Sequence, residues 1–437
     1  MNYPRVLIIG QSFSGISGAS ITLRNLFEDW PKDKIAVASN SIDEYDENTF
    51  KYSYNNYRLG DSEISVISPF NSFFSLKKSR ILKKEKVINS RKISITNQSR
   101  LKSIIKKFFI KTGINSVRFN YSTSNEFINW YKSFAPQIVY SAVGDLDLIR
   151  FLLKIKDIDN VPIALHIWDD WPNTLADRTF FKRYWQKKID AEFRDLLLVS
   201  NKLLSISDMM SKEYKRLYNR EFIPFHNPIN IEEWDTNNPV LKIDKSNIIL
   251  YVGKINKDTI ELLLLMSQTV QVLNKENKNG KYSFHIYSPD RGYNLDRFYQ
   301  YKETVVFNAI PHEQVISVMK KASILFLPLG FSEKSIRYTR LSMPTKVSEF
   351  MISGTPIIVM APPEIALTKY AKDYKWAMVV DEKNLQLLKE AILKLTIQDV
   401  FVEELIFKAV TLAKDKHDAS KVREYFKMQL IDVARNE

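Results

Sequence analysis

One stretch of this 437-residue chain gathers ionisable and aromatic groups at the end of an apolar run: Val161-Pro-Ile-Ala-Leu-His166-Ile-Trp168-Asp169-Asp170-Trp171-Pro172. The pattern carries His166 to the end of a strand and delivers two carboxylates and two indoles into the following loop. In open α/β sheets that edge is where ligands bind. Adjacent carboxylates there can orient hydroxyls, hold a metal, or act as acid and base. The alternative makes Asp169 or Asp170 a helix N-cap, with Trp168 and Trp171 covering the sheet edge. A second candidate runs from Ser342 through Pro344, Thr345, Lys346 and Glu349 to Gly354. Ser342 reads as an N-cap, Pro344 as first-turn and Gly354 as the stop before a buried strand. Lys346 and Glu349, three apart, share a helical face. A phosphate would lie on the N–H groups at the helix start, with Glu349 one turn in accepting from hydroxyls; otherwise the two are a surface ion pair of little energetic weight. A third candidate is the turn Gly10-Gln-Ser-Phe-Ser-Gly15-Ile-Ser-Gly18. It matches neither a Walker A loop nor a dinucleotide fingerprint. Ligand contact and tight packing of an ordinary turn both suit it.

The elements that must position these residues are short, continuous apolar runs, each followed by a helical stretch. They are Arg5–Ile9, Ile35–Ser39, Ile138–Ala142, Val161–Ile167 and Leu203–Ile206, then Ile248–Val252, Ser283–Tyr287, Thr304–Phe307, Ile324–Leu327, Pro356–Met360 and Ala377–Val380. Such runs suit strands buried on both faces of a parallel sheet, and the alternation with helices predicts βαβ units. The turn-rich stretch 227–245 reads as a linker. The fold class is therefore α/β, with two doubly wound, Rossmann-like domains. We place the first at 1–235 and the second at 236–415, with a C-terminal helix over 416–437. One large α/β domain is the alternative.

Composition narrows the setting. With 45% hydrophobic and 26% charged residues the chain is globular, and no apolar run approaches a membrane span. Having no cysteine, it can form no disulfide, thiolate metal site or cysteine nucleophile, and a cytoplasmic setting fits. The N-terminus lacks the pattern of a signal peptide. Segment 77–111 holds 13 Lys or Arg against the single acid Glu85, which is nearly all of the net charge of +14. Within it Leu101, Ile104, Ile105, Phe108 and Phe109 form an apolar helical stripe flanked by Lys102, Lys106, Lys107 and Lys111, with Gly113 as C-cap. A basic amphipathic helix suits an anionic membrane surface, or the stripe packs on its own domain. Nucleic acid is not expected, because no recognition motif accompanies the charge.

At this point a resemblance becomes specific. "SMPTKVSEFMISGTPIIV" from Ser342 resembles the donor-binding segment of the family-4-type retaining glycosyltransferases (glycosyl transferases group 1), which have the GT-B fold. "YVGKI" at 251–255 is similar to the first strand of the family's donor domain, and "VVFNAIPHEQVISVMKKASILFLPL" at 305–329 to its base-binding region. "LLSISDMMSKEYKRLY" followed by "PFHNPI" resembles the close of the acceptor domain, and "HIWDDWP" its strand-end motif. The likeness spans most of the chain except about 45–125.

The resemblance implies two domains facing across a cleft, an acceptor-binding one and a nucleotide-sugar donor one. Closure of that cleft about the linker would position the ligands. It implies that Glu349 holds the ribose hydroxyls, Lys254 and Lys257 pair with the diphosphate, and Ser342 through Thr345, with Lys346, lie along the phosphate. Ile310 and Pro311 would flank the base, and Gly15 and Gly18 would face the diphosphate or acceptor. His166 would stand near the transferred sugar, with Asp169 or Asp170 on the acceptor hydroxyl. Two departures stand out. Leu341 occupies the place of a glutamate common in the family, whose role Glu333 or Arg337 could take, and the Lys254–Lys257 spacing is short. The expected activity is metal-independent sugar transfer with retention, from a UDP- or GDP-linked donor to a lipid-linked or surface-polysaccharide acceptor at the inner membrane face. No other cofactor is expected. The rival expectations are a catalytically degenerate binding protein on this scaffold and a nucleotide-sugar epimerase.

Overall fold

The apolar runs become strands, and the strands are parallel. The computed structural model describes residues 3–15, 17–66, 76–84, 108, 110–113, 119–234, 247–276, 281–289 and 295–435. The first sheet contains β1 (Val6–Ile9), β2 (Ile35–Ser39), β3 (Asn55–Arg58), β5 (Arg80–Leu82), β7 (Ile138–Ser141), β8 (Ile163–Ile167), β9 (Lys202–Ser205) and β10 (Ile223–Pro224). Their order is β10-β9-β8-β7-β1-β2-β3-β5, parallel throughout except that β5 runs antiparallel to β3. A separate antiparallel ribbon joins β4 (Ile64–Val66) to β6 (Phe119–Tyr121). The second sheet orders β13 (Thr304–Asn308), β12 (Ser283–Ser288), β11 (Ile248–Val252), β14 (Ile324–Pro328), β15 (Ile357–Met360) and β16 (Met378–Val380), all parallel. In β1, β7, β8 and β14 every residue is buried, as a strand covered by helices on both faces requires.

The chain forms two units, Met1–Phe225 with Arg423–Glu437, and His226–Val422. The divisions fall at 225/226 and 422/423 rather than at the expected 235/236 and 415/416. Hydrogen bonding explains the first shift: Ile229 N–H donates to His417 O (2.8 Å), Ala419 N–H to Ile229 O (2.9 Å), and Lys320 Nζ to Trp234 O. Residues 226–234 thus pack with the second unit. Residues 235–246, the rest of the expected linker, lie outside the described residues. The terminal helix Ala419–Arg435 returns to the first unit, where Arg423 Nε donates to Asn25 O (2.7 Å). Phe426 is fully buried there against Phe27, Tyr140 and Phe225. Burying one such ring contributes roughly 1.5–3 kcal/mol.

Of the basic amphipathic stripe, Lys102, Lys106, Lys107 and Phe109 lie outside the described residues. Phe108 is described and exposed. Gly113 follows the short helical turn at φ +81°, and a Cβ there would meet the Trp185 indole, so both dihedral and contact demand glycine.

Candidate functional site

In each sheet the strand order reverses at one place, and crevices for ligands open outside the carboxyl ends of the strands there. In the second unit the reversal lies between β11 and β14. Lys254 lies in the loop leaving β11, whose carbonyl is held by the Tyr251 hydroxyl (2.6 Å), and Lys257 opens the helix Lys257–Glu276. Asn256 caps that helix, its Oδ1 accepting from the N–H groups of Asp258 and Thr259 at 2.9 Å each. Across the reversal, Ser332 Oγ donates to Asp258 Oδ1 (2.8 Å), tying the loop after β14 to the loop after β11. Lys254 and Lys257 are both exposed, so two cations flank this edge.

The other donor-side candidates reach the same edge by topology. Ile310 and Pro311 follow β13, and Pro311 caps the helix His312–Lys320. The helix Val347–Ile352 leads into β15, so its start lies at the carboxyl edge. Ser342 is not its cap. The Ser342 N–H donates to Thr339 O (3.1 Å), continuing the previous helix, and Lys346 holds the cap position without a side-chain capping bond. A turn intervenes because Val347 N–H donates back to Pro344 O (3.1 Å), which starts the helix later than the serine pattern predicts. Thr345 and Glu349 are half-buried. Lys346 is also half-buried, and burial draws its ammonium pKa below the ordinary lysine value while the Glu349 carboxylate opposes that shift. Leu341 is fully buried and belongs to the core. Glu333 is exposed on the helix Glu333–Thr339 with Arg337 one turn on.

In the first unit the order reverses between β1 and β7. Gln11 bridges the two loops there, accepting from Ala142 N–H (2.9 Å) and donating to Ala142 O. Gly15 is exposed at φ +83°, with no atom within 4 Å of where a Cβ would stand, so glycine serves the dihedral alone. Its N–H donates to Asp46 Oδ2 (2.6 Å), and its carbonyl accepts from Arg24 Nη1 (2.8 Å). The amide expected to face a diphosphate therefore already holds a carboxylate. Gly18 is exposed at the start of the helix Gly18–Phe27, which Ser17 caps by accepting from Ser20 N–H (3.1 Å). Asp46 was missed in the sequence; its signal was an Asp preceding the short helix Glu47–Tyr52, which it caps.

The strand-end motif separates into buried and open parts. His166 is fully buried, one residue before the end of β8, with Nδ1 hydrogen-bonded to the equally buried Tyr140 hydroxyl at 2.8 Å. It is enclosed in the core of the first unit, whereas the resemblance places it near the transferred sugar. Asp170 is buried as well, accepting from the Tyr214 hydroxyl (2.8 Å) and from Asn173 Nδ2 (2.7 Å). Asp170 stands before the helix Trp171–Thr174, but its carboxylate makes no capping bond. Asp169 is only half-buried, which leaves it as the carboxylate with access to solvent in this loop. Tyr140 and Tyr214 carried no sequence signal, because their roles come from strand and helix neighbours distant along the chain. Among the described residues no three His, Asp or Glu side chains come together as metal ligands would.

Burial pushes the His166 pKa down to about 3 from its ordinary 6.5. The unfolded chain then binds a proton that the folded chain refuses, so the contribution is complete above about pH 6.5 and is lost as pH falls toward 3. Between pH 6.5 and 5 this amounts to roughly 2 kcal/mol. We expect His166→Gln to flatten the pH dependence of unfolding free energy in that window. Denaturant titrations of both proteins at pH 7, 6 and 5 check it; parallel slopes would remove His166 as the source.

Residues 246–398 match the family model described as glycosyl transferases group 1. No curated protein matches the sequence. Among solved structures, HepE of Anabaena in complex with UDP is similar over 98% of this chain and 100% of its own, at 9% identity and TM-score 0.61. A glycosyltransferase from Rickettsia africae is similar over 99% and 100%, at 10% identity and TM-score 0.62. The sucrose-phosphate synthase of Thermosynechococcus elongatus is similar over 99% of each chain, at 12% identity and TM-score 0.58. The chain as a whole has the GT-B fold of these structures, and the sequence of its second unit matches the group 1 glycosyltransferases over residues 246–398.

Proposed function

We propose that the protein transfers a sugar from a UDP- or GDP-linked donor to a lipid-linked or surface-polysaccharide acceptor, with retention and without a metal ion. The observation that carries this reading is the group 1 match over 246–398, the stretch that bears Lys254, Lys257, Ile310, Pro311, Ser342, Thr345, Lys346 and Glu349. UDP or UDP-glucose bound to Anabaena HepE supports a UDP-linked donor as the first to try. In this reading Glu349 accepts from the ribose hydroxyls and Ile310 with Pro311 flanks the base. Lys254, Lys257 and Lys346 neutralise the diphosphate, beside the backbone of Ser342 to Thr345. Asp169 accepts from the acceptor hydroxyl, since it is half-buried while Asp170 and His166 are fully enclosed. The acceptor oxygen bonds to the anomeric carbon from the leaving-group side as the bond to the diphosphate breaks, and the departing phosphate oxygen takes the acceptor proton. The enzyme works in the cytoplasm against the inner membrane face. No helix among the described residues is long and apolar enough to cross a membrane, so contact is peripheral in this reading.

The test incubates the full chain with UDP- and GDP-sugars and a panel of lipid-linked and polysaccharide acceptors. Acceptor-dependent release of nucleoside diphosphate is the expected result. Nucleotide binding without turnover under all conditions favours the binding-protein reading, to which the fully buried Leu341 lends weight.

A further inference from the structure

Two segments far apart in the first unit meet to make one aromatic and basic surface. The Phe180 N–H donates to Lys111 O (2.6 Å), and the Lys111 ammonium stands 5.4 Å from the centre of the Phe180 ring. One turn further in, Trp185 Nε1 donates to Thr112 O (3.0 Å) and its ring closes over Gly113. That buried seam fixes the two segments together. Around it the large side chains are turned outward: Phe108 is 57% exposed, Phe180 70%, Phe181 62% and Tyr184 60%. Four large aromatic side chains grouped at one place exceed the scattered single apolar residues that a soluble surface carries without consequence.

The exposed charges beside them are basic. Lys111, Arg183 and Lys187 are exposed, and the last two are four apart on one face of the helix Lys182–Val199, on which Tyr184 also lies. Of the neighbouring bases, Lys182 pairs with Asp177 (2.8 Å) and Lys188 with Glu192 (3.5 Å). Lys111 is also the last of the 13 bases in segment 77–111. A tyrosine favours the level of lipid headgroups, phenylalanine rings bury at the headgroup–acyl boundary, and flanking bases add attraction to anionic lipid.

Position adds a further argument. Phe180 and Phe181 end the connection that leaves β8 and enters the Lys182–Val199 helix. They therefore lie on the carboxyl edge of the first sheet, the edge that also carries Asp169 and the Gly15 loop. We propose that Phe180, Phe181 and Tyr184, with Phe108 beside them, form a docking surface for an anionic lipid bilayer, held by Lys111, Arg183 and Lys187. The surface sets the acceptor-binding edge of the first unit against the membrane, where a lipid-linked acceptor is presented. This deepens the acceptor reading above, but its test does not depend on sugar transfer.

The full chain is floated with vesicles of phosphatidylcholine alone and of phosphatidylcholine with phosphatidylglycerol. The expected result is binding to the anionic vesicles that weakens with salt. Phe180→Ser with Phe181→Ser lowers the partition coefficient by about tenfold or more. Arg183→Glu with Lys187→Glu lowers it by at least about thirtyfold at low salt. All four positions are exposed or at the surface, so thermal unfolding should match wild type and report any folding defect. Wild type that ignores anionic vesicles overturns the proposal. A Phe180→Ser, Phe181→Ser protein that binds as well as wild type also overturns it, because binding would then belong to the basic segment alone. If vesicles bind as expected while no donor releases nucleoside diphosphate, the glycosyltransferase reading fails and the docking surface stands.

Discussion

If the protein transfers sugar as proposed, replacing Lys254 with alanine should lower the rate by about 10²–10³-fold while leaving the unfolding transition in place. The rate effect is large because the transition state places new charge on the leaving diphosphate, and a preorganised cation there interacts with it more strongly than with the ground state. Stability is spared because the side chain is exposed, and surface changes of this kind stay within about 0.5 kcal/mol. The loop itself is held by the Tyr251 hydroxyl on the Lys254 carbonyl, a backbone contact that the substitution keeps. Lys254→Arg should recover part of the rate, since the charge returns with a different geometry. Steady-state kinetics of the three proteins on one donor and acceptor pair decide the matter. Unchanged kcat in Lys254→Ala would take this lysine out of the site and pass its role to Lys257 or Lys346.

The second large effect is on nucleotide binding. Wild-type protein with UDP or GDP at about 100 times its dissociation constant should gain about 2.7 kcal/mol of stability by mass action. Glu349→Ala should lose most of that gain at the same concentration. Hydrogen bonds to a charged group contribute roughly 1.5–3 kcal/mol, so their loss raises the dissociation constant by about 10–100-fold. Glu349 is half-buried on the Val347–Ile352 helix near Lys346, so its removal also lets the lysine pKa fall further. A thermal-shift panel of UDP, GDP, ADP and TDP on both proteins separates the outcomes and names the base. A nucleotide that stabilises the mutant as strongly as wild type would exclude Glu349 from the donor site.

Sheet strands were legible wherever burial was two-sided. Val6–Ile9, Ile138–Ser141 and Ile248–Val252 are continuous apolar runs because helices cover both faces of a parallel sheet, so pattern and position coincide. Asn55–Arg58 and Ile223–Pro224 were not legible. Their strand character comes from pairing with a neighbour already in place, and Asn-Asn-Tyr-Arg or Ile-Pro carries little intrinsic preference for it. Short-range capping was misleading at Ser342, where a bond from Val347 N–H to Pro344 O delays the helix, and the cap at Ser17 was not read from the sequence.

For the site, the amino-acid sequence by itself determined which residues stand at strand ends and helix starts, since that follows from local periodicity and turn chemistry. The place of Glu349 follows from that, whereas Lys254, Ile310 and Pro311 were expected only through the resemblance to the family. Only the tertiary structure decided which polar groups remain open to a ligand. His166 and Asp170 face inward because Tyr140 and Tyr214, from neighbouring elements, reach them first, while Asp169 does not share that burial. The Gly15 amide is taken by Asp46 and the Phe180 surface is built against Lys111 for the same reason. Burial and hydrogen-bond partnership are properties of groups brought together from distant parts of the chain, and no local pattern contains them.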